Sequence, residues 1–324
     1  MQGPHIRGGR AWVKLALTTL CLTLAPARAR ADASTGPHLA RDLGDSDTLR
    51  VVFSAETHGN LEPCPCKDRS LGGLARRVGH FVATVHADQA TLRLDSGGFL
   101  PVADVPLRDD PAVLTRYVRL LTRALIRSRL DAVALDGGHE TLLARVAPRE
   151  WESLGPAALS ANPVGRARYF RWGDRGVAVL AVESGVREEA LRLAARTARE
   201  EGAALVGGSA TRTVLILLAR ADAWQGQNLA RMVQPDLVLL SRGARPRGPI
   251  QIGPTTLVGC GIDGKEMGEV RIAETALGLE FAGFSLQPMD ETVATLQRFA
   301  GQTPMAKIVR ANSDFAGISG LLGR

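Results

Sequence analysis

The sequence predicts an α/β protein, and three observations carry that prediction. Short runs rich in Val, Leu, Ile and Ala alternate with stretches whose apolar residues recur at helical spacing. Three of the runs end in polar, glycine-rich turns: Glu56-Thr57-His58-Gly59, Asp95-Ser96-Gly97-Gly98 and Asp136-Gly137-Gly138-His139-Glu140. From Gly248 onward the pattern changes to closely spaced β segments, as expected of antiparallel strands added to one side of parallel β-α-β units.

The elements follow in order. Residues 1–31 read as a secretory signal: Arg7, Arg10 and Lys14 precede an apolar run, Leu15 to Leu24, too short for a stable membrane span, and small residues follow at Ala25, Ala27, Ala29 and Ala31. Residues 32–48 read as a polar linker. A domain is expected over 49–288, opening with a strand at Leu49–Ser54 and a helix at Leu71–His86. Thr91–Leu94 is a strand. Asp110 and Pro111 open a helix that runs to Arg127, with Val113, Tyr117, Leu120, Leu121, Ala124 and Leu125 on one face. Further strands are expected at Asp131–Leu135, Ala157–Ala161, Gly176–Val182, Thr213–Leu218 and Asp236–Leu240. Helices are expected at Pro148–Leu154, Glu188–Glu200 and Gln225–Met232. The β-rich tail comprises Ile250–Ile252, Thr255–Val258, Gly268–Ile272 and Leu279–Ser285. Residues 289–324 read as a helical tail.

Composition narrows the function classes. The formal charge of +7 includes five basic residues of the signal, so the remainder carries +2, and its arginines are scattered. Nothing here asks for a nucleic-acid partner. Localisation is expected to be exported, periplasmic or extracellular. Three cysteines follow the signal, Cys64, Cys66 and Cys260, an odd number for an oxidising compartment.

The glycine-rich turns carry the chemistry. Neighbouring strands of a parallel sheet bring their carboxyl ends to one crevice. Glu56 and His58 stand two apart, which in extended backbone points both side chains the same way. Carboxylates and imidazoles converging there suit a divalent metal, with Glu56, His58 and Asp95 as candidate ligands. Cys64 and Cys66 form a candidate redox or soft-metal pair, since a bridge across one residue is strained and easily reduced. The alternative is a structural disulfide from one of them to Cys260.

These motifs, THGNLEPC with LGGLARR, LDSGG, DAVALDGGHE, LSANPV and GCGIDGKEMGEVRI, resemble those of the calcineurin-type metallophosphoesterases, 5′-nucleotidase branch, over about Leu49 to Leu286. The Glu-Pro-Cys-x-Cys variant is similar to a secreted bacterial subgroup. The resemblance implies a sandwich of two mixed β-sheets flanked by helices, and two-metal hydrolysis of phosphoesters with Mn, Zn or Fe. It implies ligands where this chain has Glu56, His58, Gly98 and Gly138, and a catalytic role for His139. It also implies histidines near Arg220 and at about Arg242 and Ala244. Guanidinium has no lone pair to give a cation. The expectation is therefore a degenerate member, a pseudoenzyme with weak or no hydrolysis, whose crevice binds a phosphate-bearing small molecule through Arg220 and Arg242. The alternatives are an active enzyme with a reduced, mononuclear site and a thiol-redox protein. The family's nucleoside-gripping second domain is not expected, because the chain ends about forty residues after the core.

Overall fold

A computed structural model describes residues 40–65, 69–84, 89–100, 111–162, 164–242, 248–276 and 278–293. The expected signal, Cys66 and nearly all of the expected C-terminal helix lie outside these residues.

In chain order the strands are β1 (Arg41–Asp42), β2 (Thr48–Ser54), β3 (Pro63–Pro65), β4 (Ser70–Gly72), β5 (Thr91–Asp95), β6 (Ala132–Leu135), β7 (Ala158–Ser160) and β8 (Arg168–Trp172). They continue with β9 (Arg175–Glu183), β10 (Thr213–Arg220), β11 (Leu237–Leu240), β12 (Ile250–Ile252), β13 (Thr255–Gly259), β14 (Glu266–Thr275) and β15 (Gly278–Pro288). The helices are α1 (Leu74–Ala83), α2 (Pro111–Arg127), α3 (Gly137–Val146), α4 (Pro148–Leu154), α5 (Glu188–Ala204) and α6 (Ala223–Val233).

The strands build two large mixed sheets. One runs β1-β8-β9-β10-β11-β13-β12 and the other β15-β14-β2-β5-β6-β7. At the centre of each the pairing is parallel: β9, β10, β11 and β13 in the first, β2, β5, β6 and β7 in the second. The expected antiparallel additions are β12 on β13 and the β14–β15 hairpin, which lies against β2. The two sheets face each other across one apolar core that takes Val51, Phe53, Leu92 and Leu94 from the second sheet and Val177, Val179, Ile216 and Leu239 from the first. Helices α1, α2, α3 and α4 cover the outer face of the second sheet, and α5 and α6 that of the first. Parallel strands covered on both faces need apolar residues at successive positions, which is why Val177–Val182 and Val214–Ala219 are unbroken apolar runs with every residue buried.

Several segments differ from the sequence expectation. Residues 41–42, read as linker, form β1 because the backbone there pairs in parallel with Phe170 and Arg171 of β8. Asp136-Gly137-Gly138-His139-Glu140, read as a turn, starts α3: the Asp136 side chain accepts a hydrogen bond from the His139 backbone N–H and caps the helix. Residues 63–65 and 70–72 pair antiparallel as β3 and β4, strands that Pro63 and Pro65 concealed. The expected helix from Met289 does not begin there. Met289 is instead buried, and its backbone N–H donates to the Lys265 carbonyl.

Candidate active-site crevice

The carboxyl ends of β2, β5 and β6 supply Glu56, His58, Asp95 and Asp136. The ends of β9, β10 and β11 supply Glu183, Arg220, Ser241 and Arg242, and the turn between β13 and β14 supplies Asp263.

Glu56 and His58 do meet, but not through extended backbone. Both residues take left-handed backbone conformations, φ 44° and 47°. Loop-to-loop hydrogen bonds hold them there: Glu56 N donates to the Gly97 carbonyl, His58 N to the Gly98 carbonyl and Asp263 N to the Glu56 carbonyl, at 2.7–2.8 Å. The fold imposes the strain, and the result is a carboxylate–imidazole–carboxylate array. His58 Nε2 lies 2.7 Å from Glu56 Oε2, and His58 Nδ1 lies 3.1 Å from Asp263 Oδ1. The hydrogen bond to Glu56 raises the His58 pKa, with Asp263 adding to it against partial burial. Burial would push Glu56 up, but His58 and Arg220 outweigh it and hold the carboxyl below its ordinary value.

Arg220 occupies the space between the two sheets' loops. It is 7% exposed. Its Nη2 lies 2.8 Å from Asp136 Oδ2, and its Nε approaches Glu183 Oε2 at 3.4 Å without hydrogen-bond geometry. Glu183 Oε1 in turn pairs with Arg242 Nη2 at 2.6 Å, and Arg242 is 45% exposed at its side chain. Asp136, Arg220, Glu183 and Arg242 thus form a ladder of alternating charge, with Arg220 its most buried member and Arg242 its most exposed. Asp136 Oδ2 also lies 3.6 Å from His139 Nδ1. Burial lowers the His139 pKa against the pull of Asp136, and its ring stands 5.7 Å from that of Phe99.

Two glycines make room for this arrangement. Gly97 has φ +104°, and a Cβ there would fall 2.7 Å from Arg220 Nη1. Gly98 has φ +74°, and a Cβ there would fall 2.6 Å from Glu56 Oε1. The Glu56 carboxylate therefore fills the volume that a side chain at 98, where the resemblance implies a metal-bridging aspartate, would need.

Asp95 is fully buried beneath these loops. Ser54 Oγ donates to its Oδ2 at 2.5 Å and Gly97 N to its Oδ1 at 2.8 Å, while burial raises its pKa to about 6. Both oxygens are engaged in holding β2 and the 96–98 turn together. Cys260 is buried in the core between the sheets, and among the described residues it makes no disulfide, so a bridge from Cys64 to Cys260 is not formed. Burial pushes the Cys260 thiol well up. Cys64 sits in β3, paired with Leu71 of β4, and is half-buried.

The residues present do not fit a bound metal ion. No group of three or more His, Cys, Asp or Glu arranged to hold one occurs among the described residues. The acceptors Asp136 and Glu183 are bridged by a guanidinium, and His58 has both ring nitrogens engaged by carboxylates. Sequence reasoning found Glu56, His58, His139, Arg220 and Arg242 but missed Asp136, Glu183 and Asp263 as members. Their signal was positional: Asp136 and Glu183 directly follow or end apolar strands at the carboxyl edge, and Asp263 stands in a Gly-Ile-Asp-Gly turn.

No protein-family model matches the sequence, and no curated protein sequence matches it. Solved structures do. The chain superposes on a 5′-nucleotidase precursor from Thermus thermophilus with a TM-score of 0.61 and 17% identity, over 86% of this chain and 60% of that one. The sulfate thiohydrolase SoxB of Thermus thermophilus gives 0.59 and 16%, over 81% and 60%. The NAD nucleotidase of Haemophilus influenzae gives 0.57 and 11%, over 76% and 53%. The fold is that of the metallophosphoesterase/5′-nucleotidase type, with two mixed sheets flanked by helices. The chain spans about 60% of the length of the first two of these proteins. No helix among the described residues is long and apolar enough to cross a membrane.

Proposed function

We propose that this chain is a degenerate phosphoesterase-type protein whose crevice binds a phosphate-bearing small molecule without metal-dependent hydrolysis. The observation that supports this most directly is Arg220, a buried guanidinium lodged between Asp136 and Glu183 at the strand ends. A fixed positive charge there repels a divalent cation and gives it no lone pair. Arg242 supplies the accessible contact. Its guanidinium is partly exposed and pairs with Glu183, so a phosphate can share or replace that carboxylate with paired N–H donors. Arg220 Nη1, buried with no hydrogen-bond partner, adds an unused donor behind it. The nucleotidase-type neighbours make a nucleoside monophosphate the natural first probe. The basic start and apolar run of the first 31 residues support export.

Isothermal titration of the mature protein in EDTA with inorganic phosphate and with adenosine monophosphate tests this reading. Saturable binding that falls at least about tenfold in Arg242→Ala, about 1.4 kcal/mol or more, is expected. Turnover of p-nitrophenyl phosphate should stay at background with added Mn²⁺ or Zn²⁺. Metal-stimulated turnover abolished by His139→Ala would overturn the reading in favour of an active, reduced metal site.

A further inference from the structure

A second polar cavity lies at the opposite end of β2 from the crevice. It measures about 500 Å³, within the roughly 300–1,000 Å³ usual for small-molecule sites, and Ser46, Thr48, Arg50, Gln89 and Arg271 line it. Arg50 of β2 and Arg271 of β14 stand directly opposite each other in the antiparallel pair. Their neighbours Val51, Val270 and Ile272 point into the core between the sheets, so the two arginines share the outer face. Both lean on one carboxylate: Glu269 Oε2 lies 2.6 Å from Arg50 Nη2, and Glu269 Oε1 lies 3.0 Å from Arg271 Nη2. One acid for two guanidiniums leaves a surplus positive charge, and no acidic side chain is among the described residues that line the cavity. Arg50 Nε is buried with no hydrogen-bond partner, a donor left unused. Gly283, opposite Arg271 on β15, adds no side chain, and a Cβ there would meet nothing within 4 Å.

We propose that this cavity is a second, separate anion site that takes a small, hydroxyl-bearing phosphate ester such as a sugar phosphate. Arg50 and Arg271 hold the phosphate through charge-assisted N–H donors. The Arg50 side chain is 18% exposed and fixed by Glu269, so its donors are set before the ligand arrives; that of Arg271 is 62% exposed and reaches the cavity from the solvent side. The Thr48 hydroxyl and the Gln89 amide both donate and accept, which suits the hydroxyls of the ester. No aromatic side chain is among the described lining residues, so a nucleobase has no ring to stack on. Arg50 stands four residues before Ser54, about 13 Å of strand short of the crevice loop. The site is thus independent of Arg220 and Arg242.

The test is calorimetric titration in EDTA with glucose 6-phosphate, run on Arg242→Ala so that the crevice's accessible contact is gone. One saturable site per chain is expected. Adding Arg271→Gln or Arg50→Gln should weaken it at least about tenfold. Thr48→Trp, which fills the cavity and keeps both charges, should weaken it as much. No saturable binding, or binding that Arg271→Gln leaves unchanged, overturns the proposal. Binding that the arginine changes weaken but Thr48→Trp spares is attraction to surface charge alone and also overturns it. Glucose or adenosine monophosphate binding as tightly as glucose 6-phosphate overturns the assignment of the ligand. Arg271 is exposed, so its variant decides the question even if Arg50→Gln does not fold. Phosphate-ester binding to the wild type that Arg271→Gln abolishes and Arg242→Ala spares would remove the functional reading above and leave this one standing. The reverse pattern would remove only this one.

Discussion

Gly98→Ala is the sharpest probe of how the crevice is packed. Gly98 has φ +74°, a left-handed conformation that for alanine costs about 1–2 kcal/mol. The new methyl would lie 2.6 Å from Glu56 Oε1, 2.8 Å from Cδ and 3.0 Å from Cα, so the Glu56 side chain must move out of its contact with His58. Overpacking of this kind adds about 1–3 kcal/mol. Together the two effects predict a loss on the order of 3 kcal/mol, which for a domain of this size lowers the melting temperature by about six degrees. Urea denaturation followed by circular dichroism gives the free energy directly. Glu56→Ala in the same chain removes the carboxylate in the way but leaves the backbone strain and the crowding against the main chain of residue 56. The double-mutant cycle should then show a coupling of about 1–2 kcal/mol between positions 56 and 98. A Gly98→Ala protein with a wild-type midpoint, or strictly additive effects of the two changes, would refute the claim that Glu56 fills the space at position 98.

Three further outcomes are expected. The Asp95 pKa of about 6 lies above its unfolded value, so the folded state holds this proton more tightly. The stability it contributes is present at low pH and is lost as pH rises from about 4 through 6. The stability difference between wild type and Asp95→Asn should therefore change by roughly 2 kcal/mol between pH 4 and pH 7, and a difference flat with pH would count against burial as the cause. Cys260, buried and with its thiol pKa raised, should resist iodoacetamide in the native protein and react fully in urea, as read by peptide mass spectrometry. Asp222→Ala removes the capping box that Asp222 and Gln225 form at the start of α6 and should cost about 1 kcal/mol in urea denaturation.

Much of the fold is legible in the sequence because the strands that matter are buried on both faces and cannot be anything but apolar. Thr213–Arg220 and Arg175–Glu183 declare themselves in this way, and α4 and β12 lie at the residues expected of them. What escaped has local causes. β8 reads Arg-Tyr-Phe-Arg-Trp, with Phe170 and Trp172 buried and Arg171 exposed, and its arginines masked a two-residue period. α3 begins with two glycines, poor helix formers, and is recognisable only once Asp136 is seen to cap it. In the crevice, Arg220 was visible as a departure from the resembled motif, but its partners were not. Ion pairs join residues that the chain separates by dozens of positions, as Asp136 and Arg220 are, and no periodicity announces them. The Glu56–His58 contact was anticipated for the wrong geometric reason, since a left-handed turn rather than a strand brings the two together.

The placement of β14 has a consequence for how the chain is made. Strand β2 takes its antiparallel neighbour from residues 266–275, so one flank of it stays open until more than two hundred further residues have been synthesised. Until then the outer edge of Leu49–Ser54 has no backbone partner from this sheet. The second sheet is therefore assembled from its two ends late in biosynthesis, and a chain interrupted before Glu266 would carry a sticky, unfinished edge at its very first long strand.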